Sequence, residues 1–172
     1  SGHTYYHDFV GGMFRLSALQ AAVLDIKLRY LESWHEGRRR NAEIYNKAFA
    51  GTRIKAPYIA EGNWSVYNQY CVLVDNRDEV KKKLAERGVG SAIYYPLSLH
   101  EQKCFEYLGY RKGDFPASEE ACTRILALPI YAELTEEEVN YVARTLVEIA
   151  GYGTAATQSC WAFGKADTNR QF

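Results

Sequence analysis

The chain has 172 residues, with 21 Lys+Arg against 21 Asp+Glu and a formal net charge of +0. That balance excludes a nucleic-acid binder held by a broad basic field and a polybasic membrane anchor. With 47% hydrophobic and 24% charged residues the composition is globular, not disordered, and no apolar run approaches the ~18 residues of a membrane span.

The opening Ser1-Gly2-His3-Thr4-Tyr5-Tyr6-His7 has no basic region followed by an apolar stretch, so no signal peptide is expected. The longest periodic segment runs from about Ser17 to Phe49. Leu16, Leu19, Val23, Ile26, Tyr30 and Trp34 recur at alternating steps of three and four, one apolar stripe of a helix with a coiled-coil-like seam. Ala18, Ala21 and Ala22 favour the helix and let a neighbour come close. Gly37 is the weak point at which the helix is expected to bend or break. Ala42, Ile44, Tyr45 and Phe49 resume the pattern, and Gly51 is the expected stop. At ~1.5 Å per residue a continuous helix of this length spans on the order of 50 Å. That exceeds the width of a small domain, so the helix is expected to bridge two bodies or pack on a second chain.

Val66–Val74, rich in β-branched and aromatic residues, reads as a strand. Asp75 or Asn76 is the expected cap of a helix over Arg77–Arg87, with Val80 and Leu84 inward and Gly88 past its end. Gly90–Tyr95 reads as a second strand ended by Pro96. Helical segments follow over about Glu101–Tyr107 and Pro116–Thr123, and Ile125–Leu128 fits a third strand before Pro129. Thr135 with Glu138 is a capping box. It opens a helix to about Ala150 with Val139, Val142, Leu146 and Ile149 on one face. After Gly151 the apolar residues are aperiodic, although Trp161 and Phe163 argue against a wholly free tail. The expected fold class is α+β, with three parts. Residues 1–51 carry an N-terminal segment and the long helix, 52–150 form a small two-layer α/β domain with a short sheet, and 151–172 are a tail of undefined order.

Cys71, Cys104, Cys122 and Cys160 form no C-x-x-C pair and read as reduced packing residues of a cytoplasmic protein. His3 and His7 have i,i+4 spacing but no helical pattern and no third ligand nearby, so no metal site is expected. The 14 tyrosines, against 3 Trp and 7 Phe, suit half-buried faces and interfaces. Two clusters are candidates for chemistry. Gly11, Gly12 and Arg15 stand at the start of the long helix, where backbone N–H groups and a guanidinium can hold an anion such as phosphate. The competing reading is a tight turn with Arg15 in a structural ion pair. Tyr94, His100 and Gln102 gather at a strand end, where sheet domains commonly carry ligands. The competing reading is that His100 caps or packs near the next helix. There is no G-x-S-x-G elbow, and Ser98 lies two residues from His100 without a positioned acid. The residues by themselves describe a dimer-prone α+β domain without a self-sufficient active site.

Longer strings carry more. Tyr5-Tyr6-His7 with Gly11-Gly12-Met13-Phe14-Arg15-Leu16 and Leu19-Gln20-Ala21-Ala22 opens a series that continues through Lys27-Leu28, Leu31, Trp34, Arg38, Ala42 and Tyr45. It resumes at Tyr94-Tyr95-Pro96-Leu97-Ser98-Leu99-His100-Glu101-Gln102, at Leu108-Gly109-Tyr110, at Gly113–Glu119 and at Leu128–Thr135. In order and spacing this series resembles the DegT-type sugar aminotransferases, pyridoxal-phosphate enzymes of the aspartate aminotransferase fold. The resemblance covers about Tyr5 to Ala150. It implies the small C-terminal domain of that fold, joined by the long helix to a large N-terminal domain. It also implies transfer of an amino group from glutamate or a similar donor to a nucleotide-linked keto-sugar, with pyridoxal phosphate supplying the carbanion chemistry.

In that family the Schiff-base lysine, the acid that pairs with the pyridinium nitrogen and most phosphate ligands lie in the large domain. The resemblance therefore implies that this chain carries no catalytic residue, holds no cofactor in isolation and is inactive alone; Lys27 and Lys47 do not match the family's lysine motif. It leaves Arg15 and Gly12 as candidate cofactor contacts, and His100, Tyr94 and Gln102 as candidate substrate contacts. Met13 stands where many members have an Asn that reaches the cofactor phosphate of the partner subunit, and a thioether donates no hydrogen bond. Ser98 stands where the family often has Pro. A freed apolar stripe must be covered, so the expected partner is a second copy paired through the long helix, with a separate large catalytic domain as a further partner and no nucleic acid or membrane. The alternative is a stand-alone, non-catalytic module derived from the family, for dimerisation or for binding a nucleotide-sugar.

Overall fold

The computed structural model describes residues 16–151. Helix α1 (Ala18–Leu28) opens on a capping box between Ser17 and Gln20, and α2 (Leu31–Phe49) follows after a break at Arg29-Tyr30. The expected single helix is thus two. The break lies at Tyr30, whose N–H closes a short turn onto the Lys27 carbonyl at 3.0 Å, and not at Gly37, which is buried inside α2.

The remaining elements are β1 (Tyr70–Leu73), α3 (Arg77–Glu86), two short 3-10 turns over Leu99–Glu101 and Lys103–Leu108, α4 (Pro116–Arg124), β2 (Ile125–Leu128) and α5 (Glu136–Ala150). Strands β1 and β2 pair antiparallel, with Tyr70 opposite Leu128 and Leu73 opposite Ile125. Single-residue bridges extend this sheet on both edges, Lys55 to Leu73 and Ala92 to Ala127. The strand expected over Gly90–Tyr95 is only the Ala92 bridge, because the chain bends at Tyr94 before Pro96. The strand expected over Val66–Val74 is shortened at both ends. Tyr67 takes a left-handed φ of 45°, and β2, between α4 and Pro129, offers only four residues to pair with. The helix expected over Glu101–Tyr107 is a 3-10 turn ending at Gly109. Asn76 holds the N-cap position of α3, as expected, but in a left-handed conformation with φ 50° and without a side-chain cap hydrogen bond. The Thr135–Glu138 capping box and the full length of α5 are as expected.

The core sits between α2, the sheet, α3 and α5, around Tyr45, Phe49, Tyr70, Leu84, Leu126 and Leu146. The Tyr45 and Tyr70 rings lie 4.9 Å apart, and burial raises both phenol pKa values above the ordinary range. One face of α2 also holds the link between β2 and α5 by side chain to backbone. Arg38 Nη1 donates to the Ile130 carbonyl at 2.7 Å, Asn41 Nδ2 to that of Tyr131 at 2.9 Å and Tyr45 OH to that of Pro129 at 2.9 Å. These carbonyls follow a strand cut short by proline, and α2 supplies the partners a longer sheet would have given. This mixed α/β architecture with a short two-stranded sheet matches the expected fold class.

Candidate functional site

The chain leaving the Ala92 bridge carries the candidate residues of the 94–102 loop. Tyr94 is half-buried and Tyr95 is exposed. His100 and Gln102 turn inward, and the Gln102 residue is 4% exposed. His100 Nε2 lies 3.0 Å from Glu119 Oε1, with the two side chains 7% and 14% exposed. The Phe115 ring covers the imidazole at 4.8 Å, and Tyr110 meets Phe115 edge-on at 5.0 Å.

Helix α4 organises this cluster from one face. Ser118 Oγ donates to Ser98 Oγ at 3.1 Å, and Ser98 Oγ donates to Cys122 Sγ at 3.5 Å. Glu119, one residue on from Ser118, also accepts the Gly113 amide at 2.8 Å and the Phe115 amide at 3.3 Å. The Gly113 amide, followed by the Phe115 amide and His100, holds the Glu119 carboxyl below the usual carboxylate range. Glu119 is the residue that sequence reasoning missed. Its string, Gly113–Glu119, carries part of the family resemblance, but nothing in it reveals that one carboxylate gathers two amides and an imidazole.

A second concavity, of about 860 Å³, lies between α1, α2 and the loops beside them. Its wall is mainly apolar, with Leu24, Leu28, Leu31, Trp34, Val66 and Ala132 among its residues. Lys27 Nζ stands 5.6 Å from the Trp34 ring centroid. Gly12 and Arg15 lie outside the described residues, so the anion site read from them has no geometry here. No lysine among the described residues is buried, and among them no three His, Cys, Asp or Glu side chains gather as a metal site. No described helix is long and apolar enough to cross a membrane.

Comparison with known proteins gives these features a context. Residues 1–147 match the model of the DegT/DnrJ/EryC1/StrS aminotransferase family. A pleiotropic regulatory protein of Geobacillus stearothermophilus is 37% identical over 147 residues, 84% of this chain and 40% of that protein. A UDP-N-acetyl-3-dehydro-alpha-D-glucosamine 3-aminotransferase of Acidithiobacillus ferrooxidans is 34% identical over 146 residues, 85% of this chain and 39% of that enzyme. The crystal structure of a DegT DnrJ EryC1 StrS aminotransferase from Brucella abortus superposes with a TM-score of 0.74 at 36% identity, over 80% of this chain and 37% of that one. The chain thus spans about 40% of the length of the curated relatives it matches. With a family model over most of its length and a fold shared at this identity, the chain belongs to the DegT/DnrJ/EryC1/StrS aminotransferase family.

Proposed function

We propose that this chain is the C-terminal lobe of a pyridoxal-phosphate-dependent nucleotide-sugar aminotransferase, and that it is inactive without the part of its relatives' length that it does not span. The observation that carries the reading is the match itself: most of this chain aligns with two fifths of a sugar aminotransferase. The chemistry of the described residues agrees. A Schiff-base lysine needs a desolvated pocket that depresses its pKa, and every described lysine is exposed or half-buried. The described residues therefore do not fit the cofactor as a covalent anchor. In the complete assembly Tyr94, His100 and Gln102 are assigned to the nucleotide-sugar, and Arg15 with Gly12 to the cofactor phosphate. Cys71, Cys104 and Cys122 are free thiols, in keeping with a reducing cytoplasmic setting.

The test is direct. Pyridoxal phosphate added to the 172-residue chain should give no visible absorbance band from bound cofactor and, after borohydride, no lysine adduct by mass spectrometry. A specific adduct on one lysine overturns the reading. Binding of UDP-N-acetylglucosamine by the isolated chain, without an adduct, favours the alternative of a free-standing nucleotide-sugar module.

The same reading leaves α1 without a cover. None of its residues is buried, and Leu19, Val23 and Ile26 present an apolar stripe to solvent. The proposed cover is a second copy of the chain, paired through α1.

A further inference from the structure

The segment Gly109–Phe115 is a strap between the second 3-10 turn and α4. It contains two glycines with positive φ, 75° at Gly109 and 98° at Gly113, so its backbone turns where other residues would be strained. Tyr110, Arg111, Lys112 and Asp114 are all exposed, and none of the strap's side chains enters the core. What seats it is Phe115, itself 42% exposed, lying over His100. The acceptor beneath is Glu119, whose Oε1 meets the Gly113 and Phe115 amides and His100 Nε2. His100 is thus covered by a ring of the strap and engaged by a carboxylate of α4. The floor of the arrangement is fixed separately, since Ser98 is tied to Ser118 and Cys122 on α4.

We propose that Gly109–Phe115 is a lid over His100, latched by the Gly113 and Phe115 amides on the Glu119 carboxylate and by the Phe115 ring. Opening exchanges the charge-assisted hydrogen bonds of the Gly113 and Phe115 amides to Glu119 and one half-exposed ring contact for water, while α4 and the sheet stay in place. The open lid presents the imidazole of His100 at the end of the loop that carries Tyr94. A ligand that needs this imidazole then binds with its affinity reduced by the fraction of molecules that are open. The latch stands on the geometry alone. Its meaning for substrate entry rests on the proposed function, and the experiment below reads the latch without any substrate.

Diethylpyrocarbonate modification of the 172-residue chain, followed peptide by peptide by mass spectrometry, measures the access of each histidine. His35 on α2, with its side chain 19% exposed, is the internal reference. Glu119→Gln weakens the latch acceptor. Phe115→Ala removes the cover and leaves the acceptor, and truncation of a half-exposed ring spares the core. Loss of a hydrogen bond to a charged group predicts that His100 reacts roughly tenfold faster or more, with His35 unchanged. Acceleration of His100 alone in Phe115→Ala, where Glu119 still engages the imidazole, supports the lid. A wild-type His100 rate in Phe115→Ala, or equal acceleration of His35, overturns it.

Discussion

Gly37 sets the distance between α2 and the link that leads into α5. A Cβ added there would lie 2.9 Å from the Ala132 carbonyl oxygen and 3.0 Å from its Cα and Cβ. Two effects oppose each other on changing it to alanine. The helix interior gains roughly 0.5–1 kcal/mol from the better helix former, while forcing a methyl against backbone costs about 1–3 kcal/mol. The link cannot retreat cheaply. The Ala132 carbonyl accepts Arg40 Nη2 at 3.2 Å, and its neighbours are held by Arg38 and Asn41. The clash therefore wins, and Gly37→Ala should lower the thermal midpoint; an unchanged or higher midpoint would show that the link yields. Glu119 carries a different signature. Its folded pKa is depressed, first by the Gly113 amide, so its contribution is complete above the unfolded value of about 4.3. The contribution is lost as the pH falls through the lower folded value. The stability difference between wild type and Glu119→Gln, measured by urea unfolding, should shrink on acidification below about pH 4, and a difference that grows there contradicts the assignment.

At the scale of elements, what could be read from the sequence was what local chemistry determines. The Thr135–Glu138 box reads directly because its reciprocal bonds join residues three apart, and they are present at 2.9 and 3.3 Å. Helix α4 and strand β2 follow from Pro116 and Pro129 as punctuation. The division of α1 from α2 was hidden, since the apolar stripe through Tyr30 and Trp34 continues across it, with the two rings 6.2 Å apart. Periodicity reports which face is apolar, not whether the backbone is continuous. Gly37 misled for the opposite reason. A glycine inside a helix signals weakness unless a close neighbour requires it, and Ala132 is 95 positions further along the chain. The candidate site was legible only as neighbours along the chain. The string Tyr94–Gln102 names residues of one loop, whereas the contact of His100 with Glu119 of α4 joins positions 19 apart. The role of Glu119 depends on two amides brought to it by a positive-φ turn, which no residue pattern encodes.

At the scale of the whole molecule, the chain divides into a lobe with a closed core and a helix without one. Helix α1 has 11 residues and no buried position, and isolated helices shorter than about 12–15 residues are marginal in water. Leu19 is 79% exposed and Leu28 65%, so α1 gains its stability from whatever covers it. Pairing with a second copy would bury both stripes at once, and Ala18, Ala21 and Ala22 leave room for close approach. The 172-residue chain should then show the mass of a dimer by light scattering at low micromolar concentration. Val23→Asp places a charge in the middle of the stripe. Because Val23 touches nothing in the core, this change should yield the monomer mass with the thermal midpoint of the lobe unchanged. A wild-type monomer at that concentration would remove the second copy as the cover. The groove of α1 and α2 would then be a seat for the remaining three fifths of the relatives' length, and the chain would be a lobe that completes itself only on a different polypeptide surface.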